Sequence, residues 1–598
     1  CNIIVGRHAA QQMTSGDKNI VMGLGAVRYG VTTGSQNIAM GDHAGAYLTS
    51  GTDNFFAGWM AGHGCGTSVT GEDNVFIGSQ AGKCNSSGSH NIFMGMRAGV
   101  YNKTGNDNIS FGRCTSKCLD DAVGNIVIGC TAGCTLNSGD SNVLVGRGAG
   151  RNMSEGSNNL LAGTSAGIGL TSGNYNIFLG TSAGSCVLGN SNNVFVGKYA
   201  GKCRCAGDNN ISMGTEALKG SSSLSDNTGA YNIAFGYQAG YCVSTGLSNV
   251  LFGVEAGKNL TTTSYNHFIG NSAGRCNRGS SNIAVGNLAL QGTSTPADNT
   301  GGHNIALGCC AGACLTSGSC NIALGLCAGL KLTTGCNNIL LGNTIACELT
   351  TGCCNVMIGY DVGAGVTSGL KNIGLGAVVM DICEGDACRN IAIGYAVGRR
   401  IKDTSDNVFI GSNVACVGEL TGDENVAIGA GAFKNATSGC FNTYVGYRPG
   451  YCNETGSYNI GLGYNVLEKA TNCHQNIAIG AQAGNNLTGS LNIILGSCAM
   501  RSASASDYNI ALGAQAMRYA DCSFRNIFIG YKAACSLCSH SCDNVFLGCY
   551  AGIGITQTSG SVIIGVGVSV PINEGDNQLA IGVGHTHWIT GNADFNVG

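Results

Sequence analysis

One 17-residue unit recurs 34 times along this chain, and a chain built that way has to pass a single core from copy to copy. The unit reads N-I-A-I-G-x-x-A-G-x-x-L-T-S-G-x-x. We number its phases 1 to 17, starting at Asn. Phase 1 runs through Asn2, Asn19, Asn37, Asn54 and Asn74 to Asn544, then Ser561 and Gln578, and Asn holds 32 of the 34 copies. Phase 5 is glycine in every copy, from Gly6 to Gly582. Most steps are 17 residues and a few are 16 or 18. Three steps are longer, Asn54 to Asn74, Asn210 to Asn232 and Asn282 to Asn304. The last two carry similar inserts, LKGSSSLSDNTGAYN and LQGTSTPADNTGGHN. Both fall at the turn, where a solenoid carries insertions as surface loops.

Phases 1–5 are short and rich in β-branched and aromatic residues, as in Asn74-Val-Phe-Ile-Gly78. Frequent glycine removes helix as a competitor. A short strand ending at Gly is the natural reading. Phases 6–10, around Gln80-Ala81-Gly82, are expected to form a second short strand. Thr-Ser-Gly at phases 13–15 marks a turn. The fold class is therefore all-β: a parallel β-solenoid, or β-roll, of 34 coils with two short strands per coil. Residues 1–598 are expected to form one continuous rod, with 577–598 as its C-terminal end segment. Coils stacked ~4.8 Å apart would give a rod of roughly 160 Å. Phase-1 Asn side chains would form a hydrogen-bonded ladder along one corner.

Composition narrows the function. Of 598 residues 99 are Gly, yet no Gly recurs at every third position, so collagen is excluded. The chain is 43% hydrophobic, unlike a disordered one. Its net charge of −3 offers no electrostatic reason for binding nucleic acid or an anionic membrane. No run of 18 apolar residues exists, so no transmembrane helix and no membrane insertion is expected. The chain opens on Cys1 inside a repeat, pointing to a removed leader or a fragment. No Ser-His-Asp or Cys-His order stands out from the repeat, so no catalytic residue is assigned and no enzyme is expected. No cofactor is expected either. The calcium-solenoid signature G-G-x-G-x-D is absent. His585-Thr-His587-Trp588 reads as a capping aromatic turn, with a metal site as its rival.

Alternate strand residues face opposite sides. With phases 2 and 4 taken as inward, against Ala at phase 8 and Leu at phase 12, phase 3 faces out. Phase 3 carries no charge and includes Phe56, Phe76, Phe93, Phe178, Phe195, Phe409, Phe528 and Phe546. An apolar outward strip implies lateral association, expected as a trimer with these strands around its axis. The alternative is a monomer whose strip is covered by a loop or glycan.

Thirty-three cysteines suit an oxidising, extracellular setting. Many stand one coil apart: Cys186 with Cys203, Cys310 with Cys327, Cys114 with Cys130, Cys118 with Cys134, Cys320 with Cys336, and Cys336 with Cys353. Neighbouring coils lie within the ~4.4–6.8 Å Cα window of a disulfide. A ladder of coil-to-coil disulfides is one reading, and metal ligation or free thiols are the others. No C-x₂-C…C-x₂-C zinc spacing occurs, so no metal ligand is assigned. The cysteine count is odd, so at least one is unpaired or joins another chain. Sugar-acceptor sequons start at Asn85, Asn102, Asn152, Asn259, Asn435, Asn453 and Asn486, all at phases 11–12, a loop corner read as accessible. Asn108 and Asn210 also match but lie at the ladder phase and should be buried.

Asn282-Ile-Ala-Val-Gly286 and Asn476-Ile-Ala-Ile-Gly480 resemble the strand of the head β-roll of bacterial trimeric autotransporter adhesins, whose repeat is shorter and nearly cysteine-free. The long unit is more similar to repeats in fibre proteins of tailed phages and large algal viruses. The stretch from Asn577-Gln-Leu-Ala-Ile-Gly582 through His587-Trp588-Ile-Thr-Gly591 to Phe595-Asn-Val-Gly598 resembles the segment ahead of a self-cleaving C-terminal chaperone in such fibres. The resemblance implies an elongated, usually trimeric fibre; the cysteine load departs from the phage pattern. Two functions follow as expectations. The first is a structural component of an extracellular or virion-surface fibre, partnered with itself laterally and end to end. The second is an adhesin, binding a cell-surface receptor or glycan along the rod or through the inserts near 219–231 and 290–303.

Overall fold

Phases 2 to 4 of every copy are extended, as their β-branched and aromatic residues favour. The computed structural model describes residues 1–204, 207–221, 226–382, 385–519, 521–538, 540–570 and 575–591. The chain divides into two compact units, Cys1–His303 and Asn304–Gly598. The first carries seventeen strands, β1 (Ile3–Val5) to β17 (Ile283–Val285). The second carries seventeen more, β18 (Ile305–Leu307) to β34 (Leu579–Val583), and then β35 (Thr586–Gly591). Within each unit consecutive coils pair in parallel and in phase. In β5 (Val75–Ile77) and β6 (Ile92–Met94), Val75 lies opposite Ile92 and Phe76 opposite Phe93. Each unit is thus a parallel β-solenoid, as the repeat requires. In the second unit, β35 turns back antiparallel on β34, so His585-Thr-His587 belongs to a hairpin. The tail residues 592–598, including Phe595 and Gly598, lie outside the described residues.

Each coil contributes one strand, where two were expected. Residues at phases 7 and 9 adopt left-handed backbone angles, as at Gln80 (φ 61°) and Gly82 (φ 53°). A left-handed residue at every second position bends the chain around the corner and cannot be pleated. Coil-to-coil bonding still continues there: Gly82 N donates to Ala98 O (2.9 Å) and Cys84 N to Val100 O (2.8 Å). In five successive coils the strand does run further, the longest being β21 (Val356–Val362) and β22 (Ile373–Val379).

Phase-5 glycine is obligatory for a steric reason. Gly78 sits at φ 128°, and a Cβ there would lie 2.8 Å from the carbonyl carbon and oxygen of Gly95 in the next coil. Phase-1 Asn forms the expected ladder and is buried. Asn91 Oδ1 accepts from Asn108 N (3.0 Å) and Asn108 Nδ2 (3.2 Å), and Asn91 Nδ2 donates to Asn74 Oδ1 and Gly105 O. Asn108 and Asn210 are fully buried in it.

The parity of the strand is the reverse of the expectation. Phe56, Phe76, Phe93, Phe178, Phe195, Phe409, Phe528 and Phe546 are all completely buried, so the phase-3 column is core and cannot line an axis between copies. It packs against Ala at phase 8 and Leu at phase 12, which are buried as expected. The reason is the ladder itself: phases 1, 3 and 5 share one side of the strand, and the Asn ladder is inside. Phases 2 and 4 therefore face out, as in Ile126–Ile128, where only the central Val127 is buried.

Candidate functional site

The outward parity creates the most extensive candidate interaction surface. Phase 2 is Ile, Val, Leu or Phe in all copies but two, His267 and Thr443. Phase 4 is Val, Ile, Leu, Met, Phe or Ala throughout. Neither phase holds Asp, Glu, Lys or Arg in any copy. Ile126, Ile128, Ile177, Phe252, Ile269, Ile479 and Ile529 are each more than a third exposed. Within each unit these side chains form two parallel apolar columns on one sheet face. Seventeen coils at ~4.8 Å make that face roughly 80 Å long and, two outward residues wide, about 1,000 Å².

Among the described residues one disulfide is formed, Cys65–Cys84, joining adjacent coils with Cα atoms 4.7 Å apart. It uses none of the candidate cysteines. Cys65 lies in the longer step after Asn54, which sets it 19 residues from Cys84 instead of the usual single step of about 17. Among the candidates, the structure brings the thiols of two pairs together. Burial raises the Cys203 thiol, with Cys186 beside it across one coil and hydrogen-bonded to it. Burial likewise pushes Cys310 up to about 11, with hydrogen bonds to both Cys309 and Cys327 contributing. Cys309 Sγ stands 3.5 Å from Cys310 Sγ. Elsewhere the thiols find polar neighbours. Arg113 Nη2 donates to Cys130 Sγ (3.8 Å), a bond that also raises the Arg113 guanidinium, with Cys114 adding to it. Cys118 N donates to Cys134 O (3.2 Å), and burial with Cys118 raises the Cys134 thiol. Cys336 Sγ accepts from Ser319 N, and Cys353 Sγ from Cys336 N. Cys320 is exposed. Among the described residues, no group of three or more His, Cys, Asp or Glu is arranged to hold a metal ion.

The sequons separate by phase. Asn85, Asn102 and Asn453, at phase 12, are fully buried and bonded inward. Asn102 Nδ2 donates to Asn85 Oδ1 (2.8 Å), and Asn453 Nδ2 to Tyr444 Oη (2.5 Å). This corrects the reading of the whole corner as accessible: phase 12 is the inward Leu position of the repeat. At phase 11, Asn152 is exposed and Asn259, Asn435 and Asn486 are half-buried.

The two inserts share one internal plug. Asn227 Nδ2 donates to Cys203 O (2.8 Å) and its Oδ1 accepts from Ser221 N; Asn299 repeats this with Cys276 O (3.1 Å) and Thr293 N. Both asparagines are fully buried. Residues 222–225 of the first insert lie outside the described residues. The second holds a short 3-10 turn, Pro296–Asp298. One buried cation escaped the sequence reading. Arg204 occupies the inward phase 12, where its guanidinium donates to the Gly229 and Val243 carbonyls and burial pulls its pKa down to about 10. Its phase was the available signal.

Fold and faces together define a cysteine-rich parallel β-solenoid with a sheet face on each unit that is apolar at all but one outward position, His267 in the first and Thr443 in the second. The sequence matches no protein-family model and no curated protein. No helix among the described residues is long and apolar enough to cross a membrane.

Proposed function

We propose that this chain is a non-enzymatic structural component of an extracellular or virion-surface fibre, assembled by lateral pairing of copies through the phase-2 and phase-4 columns. The observation that carries this reading is the charge-free face: about 1,000 Å² per unit, above the ~800 Å² each partner contributes to a standard interface. An apolar patch of that size on a solvated protein calls for a cover. A second copy fits because its columns repeat at the same ~4.8 Å interval, so ridges and grooves match along the whole face. The cysteine content and the Cys65–Cys84 bond support an oxidising compartment. Further coil-to-coil bonds at Cys186–Cys203 and Cys310–Cys327 would add stiffness to the fibre.

Negative-stain microscopy with a mass measurement on the same sample tests the reading. Elongated particles with a mass of at least two 60.5 kDa chains are expected. Globular particles, or elongated particles of one chain at micromolar concentration, would contradict it.

A further inference from the structure

Phase 6 of the second unit carries a pair of stacked rings that ends where the next rung, Ala430, has none. In four consecutive coils it holds Ser412, Ala430, Tyr447 and Tyr464. Tyr447 and Tyr464 stack with centroids 5.4 Å apart and planes 9° from parallel, and both are about half exposed. One face of Tyr447 is thereby covered. The other looks toward Ala430, whose methyl group leaves the space of a ring between Tyr447 and Ser412, a two-coil gap of ~9.6 Å. A notch of about 310 Å³ opens there. Beside Ala430, Gly431 at phase 7 also lacks a side chain between Asn413 and Arg448.

The wall of the notch is rich in donors. Lys434 Nζ donates to Tyr451 Oη (3.0 Å) and keeps further hydrogens to give. The Arg448 guanidinium lies 4.1 Å over the Tyr451 ring, and its Nη2 meets Glu468 at 3.3 Å. Arg448 Nε is buried and has no acceptor. Among the described residues, no carboxylate lines the notch. A bare aromatic face, a ring-sized gap, the Lys434 ammonium beside the Glu468-paired Arg448 guanidinium, and the hydroxyl of Ser412 with the amide of Asn413 together suit a hydroxyl-rich ring bearing an anion.

We propose that this notch binds an acidic saccharide, one pyranose ring filling the missing rung against Tyr447 with its carboxylate or sulfate held by Lys434 and Arg448. Flat aromatic faces pair with the apolar face of a ring, and charge-assisted bonds hold the anion. The notch lies on phases 6, 7 and 10, outside the phase-2 and phase-4 face, so the site does not depend on lateral pairing.

Titration calorimetry on the full chain tests it, with a heparin tetrasaccharide, neutral cellotetraose and sodium sulfate as probes. Saturable binding of the heparin tetrasaccharide is expected, at least tenfold tighter than either other probe. Ala430→Tyr inserts the residue that phase 6 already carries in the next two coils. It should leave thermal melting unchanged and weaken tetrasaccharide binding at least tenfold, and Lys434→Gln should do the same. Absent saturable binding, or binding unchanged in Ala430→Tyr, would overturn the site. Sulfate as tight as the tetrasaccharide would overturn its assignment to a saccharide.

Discussion

At the residue scale, core volume is shared between phases 3 and 9. In many coils a large phase 3 faces glycine at phase 9: a Cβ on Gly82 would come 2.5 Å from the Phe76 ring, and Gly62 stands likewise against Phe56. In some other coils a small phase 3 faces a large phase 9, as in Ser212 with Leu218, Ala427 with Phe433 and Gly461 with Leu467. Phe76 stacks on Phe56 (5.3 Å) and Phe93 (5.0 Å), so Phe76→Ala should destabilise by about 3–5 kcal/mol. Gly82→Leu alone should destabilise through its clash with the ring. The double substitution recreates the small–large pairing of other coils, with Leu at a left-handed position as at Leu218 (φ 46°), and should recover at least half of the single-site loss in thermal melting. His63 makes a second residue-scale case. Burial, then Lys83 and His43, pull its pKa from 6.5 down to about 4. Its Nδ1 accepts from Cys65 N (3.2 Å), which requires that nitrogen to be unprotonated. The folded form binds fewer protons than the unfolded one between these values, so local stability is complete above pH 6.5 and falls as pH drops toward 4. The protection of the Cys65 amide, its slowing of hydrogen exchange relative to the unfolded chain at the same pH, should fall over that window, and His63→Phe should remove that fall.

At the scale of the element, the coil is a backbone unit held by its ladder. Asn91→Ala would leave the Asn108 amide without its acceptor and strip a donor from Gly105 O, all in the interior. At ~1–3 kcal/mol for each buried group, a loss of about 2–4 kcal/mol is expected in denaturant unfolding. This element was largely legible in the sequence. Asn at phase 1, Gly at phase 5 and Ala-Leu at phases 8 and 12 carried the coil, its register and most of its core. The second strand was misread because β-like residues at phases 6–10 do not reveal left-handed angles at non-glycine positions such as Gln80. Strand parity was misread although the signal was present. A buried Asn at phase 1 puts phase 3 inside with it, and the apolar residues at phases 2 and 4 masked that. The same alternation separates the buried sequon Asn453 from the exposed Asn152.

At the scale of the whole molecule, the face that follows from this parity carries the proposed assembly. Composition alone could not find it, since phases 2, 3 and 4 are apolar alike and only their direction separates core from surface. The disulfide Cys65–Cys84 is hidden for another reason, because the longer step between Asn54 and Asn74 sets its cysteines 19 residues apart instead of one 17-residue step. Lysine substitutions on either side of the strand separate the two directions, with thermal melting and sedimentation velocity read on the same samples. Ile126→Lys with Ile177→Lys should leave melting nearly unchanged, as exposed positions allow, and weaken self-association at least tenfold. Phe178→Lys buries an unpaired charge and should unfold its coil at a cost of ~4 kcal/mol or more. Loss of the fold in the double isoleucine variant, with Phe178→Lys folded and defective only in association, would contradict the account.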